Sequence, residues 1–136
     1  MNSITVEEIY SDTRYGLGLK LVAGKAGLSR KVAAARIQKP GLAFAGHTRL
    51  LHSDRVQVLG YSEISYLFSL PESRQREAVR TVLSYKLCCI VVTRGQPIPL
   101  ALIEAAEETG TPLFSTDLLS SVFISRVGEF LQDRLA

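Results

Sequence analysis

The sequence predicts an α/β fold: a single three-layer domain with a mostly parallel central sheet flanked by helices. Three observations carry this. The run Leu87-Cys88-Cys89-Ile90-Val91-Val92 is apolar on both faces, as a strand buried in a parallel sheet requires. Behind it, Pro99 to Thr109 reads as a helix closed by Gly110, and Pro112 to Phe114 as a short strand, which together make a parallel βαβ unit. The chain has 136 residues, 46% of them hydrophobic, with no repeat, low-complexity stretch or internal linker, so one domain over 1–136 is expected.

Earlier elements follow in order. Thr5 to Ser11 is a short helix, because Thr5 and Glu8 have the spacing of a capping box. Gly16 and Gly18 interrupt it; Leu19 and Leu21, before the Gly24 turn, suggest a strand. Ala33 to Ile37 is expected as a second strand, stopped by Lys39-Pro40-Gly41, with a helical turn over Leu42–Ala45 that Gly46 ends. In Arg55 to Leu59, Val56 and Val58 alternate with Arg55 and Gln57, a strand pattern. Ser62 is placed to cap a helix through Ile64, Leu67 and Phe68. Pro71 opens another, with Glu72, Arg76 and Arg80 wet and Val79, Val82 and Leu83 dry. Ser115-Thr116-Asp117 offers caps for a last helix through Phe123, Ile124, Val127, Phe130 and Leu131.

Composition excludes several function classes. Net charge is +3, with scattered basic residues, so no nucleic-acid partner is expected. No stretch approaches the about 20 apolar residues of a membrane span, and acids in MNSITVEEIY do not suit a signal peptide; a cytoplasmic protein with no membrane partner is expected. Cys88 and Cys89 are read as small buried hydrophobes on opposite strand faces, poorly placed to bridge each other.

Few residues carry chemistry. A P-loop needs Gly-x-x-x-x-Gly-Lys-Ser/Thr; Gly18 with Gly24-Lys25 is one residue too long, and Ala26 stands where a hydroxyl is required. His47 and His52 are five apart and do not share a helix face, so no metal site is expected. Glu104, Glu107 and Glu108 read as a solvated helix face. The sharpest candidate is Thr93-Arg94-Gly95, beyond the carboxyl end of the central strand, where ligands of open parallel sheets bind; an arginine beside a glycine there suits an anion or a structural turn. Ser125-Arg126 is a secondary candidate within an otherwise apolar helix. No catalytic, cofactor-binding or metal-ligating residue is identified.

Five segments in order then resemble one family. Leu19-Lys20-Leu21-Val22-Ala23-Gly24 with Gly27-Leu28, Ile37 to Gly46 with its Pro40-Gly41-Leu42, Arg55-Val56-Gln57-Val58-Leu59-Gly60, Ile90-Val91-Val92-Thr93-Arg94-Gly95, and Pro112-Leu113-Phe114 with Phe123-Ile124-Ser125-Arg126 are similar to the N-terminal domain of HPr kinase/phosphorylase. Lys39 and Cys88-Cys89 depart from that pattern. The resemblance implies a fold similar to the N-terminal domain of muramyl-peptide ligases, and a non-catalytic assembly, positioning or regulatory role beside a C-terminal kinase domain. That domain would hold the P-loop, ATP and magnesium, and phosphorylate HPr, the carrier of the sugar phosphotransferase system. A homo-oligomer (a hexamer in the family) is implied, with HPr only an indirect partner and no cofactor in this chain. The alternative is a stand-alone small-molecule or anion-sensing module of the same fold.

Overall fold

A computed structural model describes residues 2–135 of the expected domain. The capping box at its start is formed: Thr5 Oγ1 accepts the Glu8 N–H at 3.2 Å and Glu8 Oε2 accepts the Thr5 N–H at 2.9 Å. This launches α1 (Val6–Ser11) straight from β1 (Ile4–Thr5), which pairs antiparallel with β3 (Lys31–Val32) in a two-stranded ribbon.

The main sheet holds β2 (Lys20–Ala23), β4 (Gln57–Leu59), β5 (Ile90–Val92) and β6 (Leu113–Ser115) in the order β2-β6-β5-β4. β4, β5 and β6 are parallel, and β2 runs antiparallel along β6, so the sheet is mixed. The helices are α2 (Gly41–Phe44), α3 (Tyr61–Ser69), α4 (Glu72–Leu83), α5 (Leu100–Thr109) and α6 (Ser120–Leu135).

Strand alternation sorts the core. Leu59, Ile90, Val92 and Leu113 pack one face of the sheet against Phe44, Leu67, Val79, Leu83 and Leu102 of α2–α5. Val58, Val91 and Phe114 pack the other face against Ile9 of α1 and Phe123, Val127 and Phe130 of α6. Both faces are therefore covered, and each fully buried large side chain contributes about 1.5–3 kcal/mol. Among the described residues no helix is long and apolar enough to cross a membrane.

Four expectations are corrected. Residues 33–37 form no strand; the outer edge of β4 takes a single bridge, from Gln38, whose N–H reaches Val56 O at 2.9 Å and whose carbonyl accepts the Val58 N–H at 2.8 Å. The small side chains of Ala33, Ala34 and Ala35 offer little to fill a sheet face. Gln57, on the polar side of the predicted alternation, is 0% exposed and spends its amide on Gln38 Oε1 and on the carbonyls of His52 and Arg55. α3 is capped at Gly60 rather than at Ser62, because Glu63 Oε1 accepts the Gly60 N–H at 2.7 Å. Finally, the central strand begins at Ile90. The chain bends at Cys88, so Cys88 and Cys89 enter the same core cluster instead of opposite faces, and the Cys88 thiol donates to Arg55 O at 3.1 Å.

Candidate functional site: the carboxyl edge of the parallel strands

β4, β5 and β6 end together at one edge, and Thr93, Arg94 and Gly95 follow β5 there. Thr93 is fully buried. Its N–H reaches Leu59 O at 3.1 Å and its hydroxyl shares a 2.6 Å hydrogen bond with Ser120 Oγ, at the start of α6. Arg94 has φ +66° and Gly95 φ +59°; this left-handed pair turns both N–H groups back into the protein, to Leu118 O at 2.8 Å and Thr116 O at 3.0 Å. The Arg94 side chain is exposed and has no hydrogen-bond or ion-pair partner among the described residues. A Cβ on Gly95 would stand 3.0 Å from Asp117 Oδ1, which explains the glycine.

The second candidate pair does not join this edge. Ser125 and Arg126 are exposed on α6, with Arg126 about 9 Å along the axis from Ser120. Arg126 Nη1 donates to Gly16 O at 2.8 Å, tethering the segment that leads into β2.

A third group at the edge escaped the sequence reading. Glu63 is 6% exposed, and its Oε1 accepts both the Gly60 N–H and Lys39 Nζ, the latter at 3.0 Å. A Cβ on Gly60 would meet Ser120 Oγ at 2.8 Å and Lys39 Nζ at 3.0 Å, so this pair abuts the Thr93–Ser120 hydroxyls. Lys39, a departure from the family pattern, thus neutralises a buried carboxylate; burying that charge alone would be costly. The available signal was Glu63 at the third position after Gly60, where an acid satisfies the cap N–H.

Elsewhere, Gly24, Glu104 and Glu107 have structural uses. Gly24 has φ +78°, its N–H is donated to Glu107 Oε1 at 3.0 Å, and a Cβ would lie 1.9 Å from Thr111 O. Glu104 pairs with Arg76 at 2.7 Å across a cleft of about 370 Å³ between α4 and α5. His47 and His52 are exposed, and among the described residues no group of three or more His, Cys, Asp or Glu side chains is placed to hold a metal ion. The Glu8 carboxyl sits below its usual range, chiefly because the Thr5 N–H hydrogen-bonds it. The Cys89 thiol is pushed up by the adjoining Cys88 side chain and by burial.

The family model for the HPr serine kinase N terminus matches residues 4–131. The chain belongs to that family. It is 46% identical to the HPr kinase/phosphorylase of Geobacter sulfurreducens over 99% of this chain and 43% of the relative. The Leptospira biflexa HPr kinase/phosphorylase is 38% identical, over 98% and 41%, and that of Bacillus subtilis 31%, over 92% and 40%. The chain therefore spans less than half the length of these relatives. Among solved structures, the CBS and DRTGG domains of the regulatory region of Clostridium perfringens pyrophosphatase share the fold, with a TM-score of 0.57 at 13% identity, over 82% of this chain and 42% of that one.

Proposed function

We infer that this chain is the non-catalytic, N-terminal part of an HPr kinase/phosphorylase, acting in assembly, positioning or regulation. One observation carries the reading: 99% of the chain aligns with a relative of which it spans only 43%. The remaining share is where we place the ATP- and magnesium-dependent chemistry on HPr, making HPr an indirect partner of this chain and the catalytic part its direct one. The geometry supports this, since Thr93, Ser120, Gly60 and Glu63 at the carboxyl edge spend their hydrogen-bonding groups on one another and on Leu59 at the end of β4. The same reading makes the protein a cytoplasmic homo-oligomer with no cofactor, nucleic acid or membrane of its own, built on the three-layer fold of muramyl-peptide ligase N-terminal domains. Incubating the chain with HPr, ATP and magnesium tests it: no phosphoserine forms on HPr, whereas transfer by this chain alone would overturn the reading.

A second reading, an anion-sensing module, is favoured by one observation, the unpaired Arg94 guanidinium beside Gly95. Titration with inorganic phosphate separates the two, because only a sensor site loses its binding heat in Arg94→Ala.

A further inference from the structure

Leu42 and Leu50 are the most exposed large hydrophobic side chains among the described residues, at 70% and 74%. A single exposed leucine is ordinary on a protein surface. These two, with His47 and Arg49, line one open cleft of about 470 Å³. Apolar side chains grouped beside polar ones in this way mark interaction surfaces.

The cleft is held in shape from inside. Leu42 lies on α2, and the His47 N–H closes that turn on Leu42 O at 2.9 Å. Gln38 Nε2 donates to Leu50 O at 2.6 Å, Gln38 Oε1 accepts the His52 N–H at 2.8 Å, and the Thr48 and Tyr85 hydroxyls share a hydrogen bond of 3.0 Å. Leu51 packs against the core while Leu50 faces water. A loop fixed in this way loses little conformational freedom when a partner lands on it.

Charge says what fits. The Arg49 side chain has no hydrogen-bond or ion-pair partner among the described residues, and no carboxylate lines the cleft. Residues 36–62 hold four Lys or Arg and one acid, Asp54, which borders a different cleft with Lys31 and Lys86. The occupant therefore sets apolar side chains beside a carboxylate. A second copy of this chain is a poor match, because the acids near its other exposed leucines are engaged: near Leu100, Glu104 pairs with Arg76, and near Leu119, Asp117 pairs with Lys20.

We propose that the Leu42–Leu50 cleft docks an apolar segment flanked by Asp or Glu from the part of the protein that this chain lacks. This rests on the reading above that the catalytic part lies beyond this chain, and it names the surface through which the two parts meet. There is ample sequence to supply the segment, since the chain spans only 43% of a relative with which 99% of it aligns. On docking, Leu42 and Leu50 leave water and Arg49 gains a carboxylate partner, so hydrophobic burial and a charge-assisted hydrogen bond act together.

The test uses the full-length protein with a photoreactive benzophenone amino acid in place of Leu50. It is irradiated and digested, and the crosslinked peptides are sequenced by mass spectrometry. The expected partner peptide lies outside residues 1–136 and carries Asp or Glu beside apolar residues. Arg49→Glu is expected to cut the yield severalfold, and Arg49→Lys to keep most of it. The same label at Leu100, 62% exposed on α5, should give no such peptide. A crosslink to a second copy, equal yields from Leu50 and Leu100, or no crosslink at all would each overturn the proposal. A label at Leu42 repeats the test if the Leu50 variant does not fold. Phosphorylation of HPr by the same full-length protein is assayed in parallel. Transfer without the crosslink defeats the docking surface alone, whereas no transfer by the unlabelled full-length protein defeats the reading on which it rests.

Discussion

Lys39 Nζ lies 3.0 Å from Glu63 Oε1, and only the carboxylate of this pair is buried, at 6% against 41% for the lysine. Because Glu63 also caps α3 through Gly60, the charge cannot withdraw to solvent without opening the helix start. Lys39→Met is expected to cost about 1–2 kcal/mol, less than the about 3–5 kcal/mol of a fully buried pair, since half-exposed Lys39 is screened. Urea denaturation measures it. Lys39→Met with Glu63→Gln should cost less than the sum of the single changes, the mark of a direct coupling.

Gly24→Ala tests the residue that comes nearest to a nucleotide-loop glycine. Its φ of +78° and the 1.9 Å approach of a new Cβ to Thr111 O predict a loss of more than about 2 kcal/mol. The midpoint of thermal or urea unfolding should fall accordingly. An unchanged midpoint would contradict the close packing of this turn on the start of β6.

Arg94→Gly should behave in the opposite sense. Arg94 holds φ +66°, a region that costs a side-chain-bearing residue about 1–2 kcal/mol, and its side chain has no partner to lose among the described residues. Stability should therefore rise or hold in the same unfolding experiment, although the backbone bonds to Leu118 and Thr116 are unchanged.

Glu8 sets part of the acid limb of stability. Its folded carboxyl titrates below the ordinary range, first through the Thr5 N–H and then through the Thr5 hydroxyl and Arg134. A lowered folded value means stability that is complete above the unfolded value and lost as pH falls through the folded one. Glu8→Gln should flatten unfolding midpoints measured across that acid window and leave their slope at neutral pH unchanged.

Much of this was legible in the chain, and the exceptions share a cause. The capping box at Thr5, the Pro71 and Pro99 helix starts and the wet and dry faces of α4 depend on neighbours within a few residues, and each appears as read. The antiparallel direction of β2 does not, because it is decided by the return path of residues 24–56 and not by the Leu19–Leu21 pattern. Gln57 looked like the polar half of an alternation, but β4 is covered on both faces and its amide is spent on Gln38, His52 and Arg55. Cys88 and Cys89 were assigned to opposite faces on strand geometry, and a single bend ahead of Ile90 defeats that inference. At the candidate edge, Thr93, Arg94 and Gly95 were found because they follow an unmistakable strand. Lys39 and Glu63 are 24 residues apart, and only the fold joins them.

The proposed function implies that this chain has no nucleotide site and depends on another part of the protein for catalysis. Calorimetric titration of the chain with ATP and magnesium tests it most directly. The account predicts no binding heat above dilution. Saturable binding in the micromolar range would contradict it, because it would require a phosphate cradle at the carboxyl edge, where Thr93, Ser120, Gly60 and Glu63 already use their hydrogen-bonding groups on one another and on the ends of the strands.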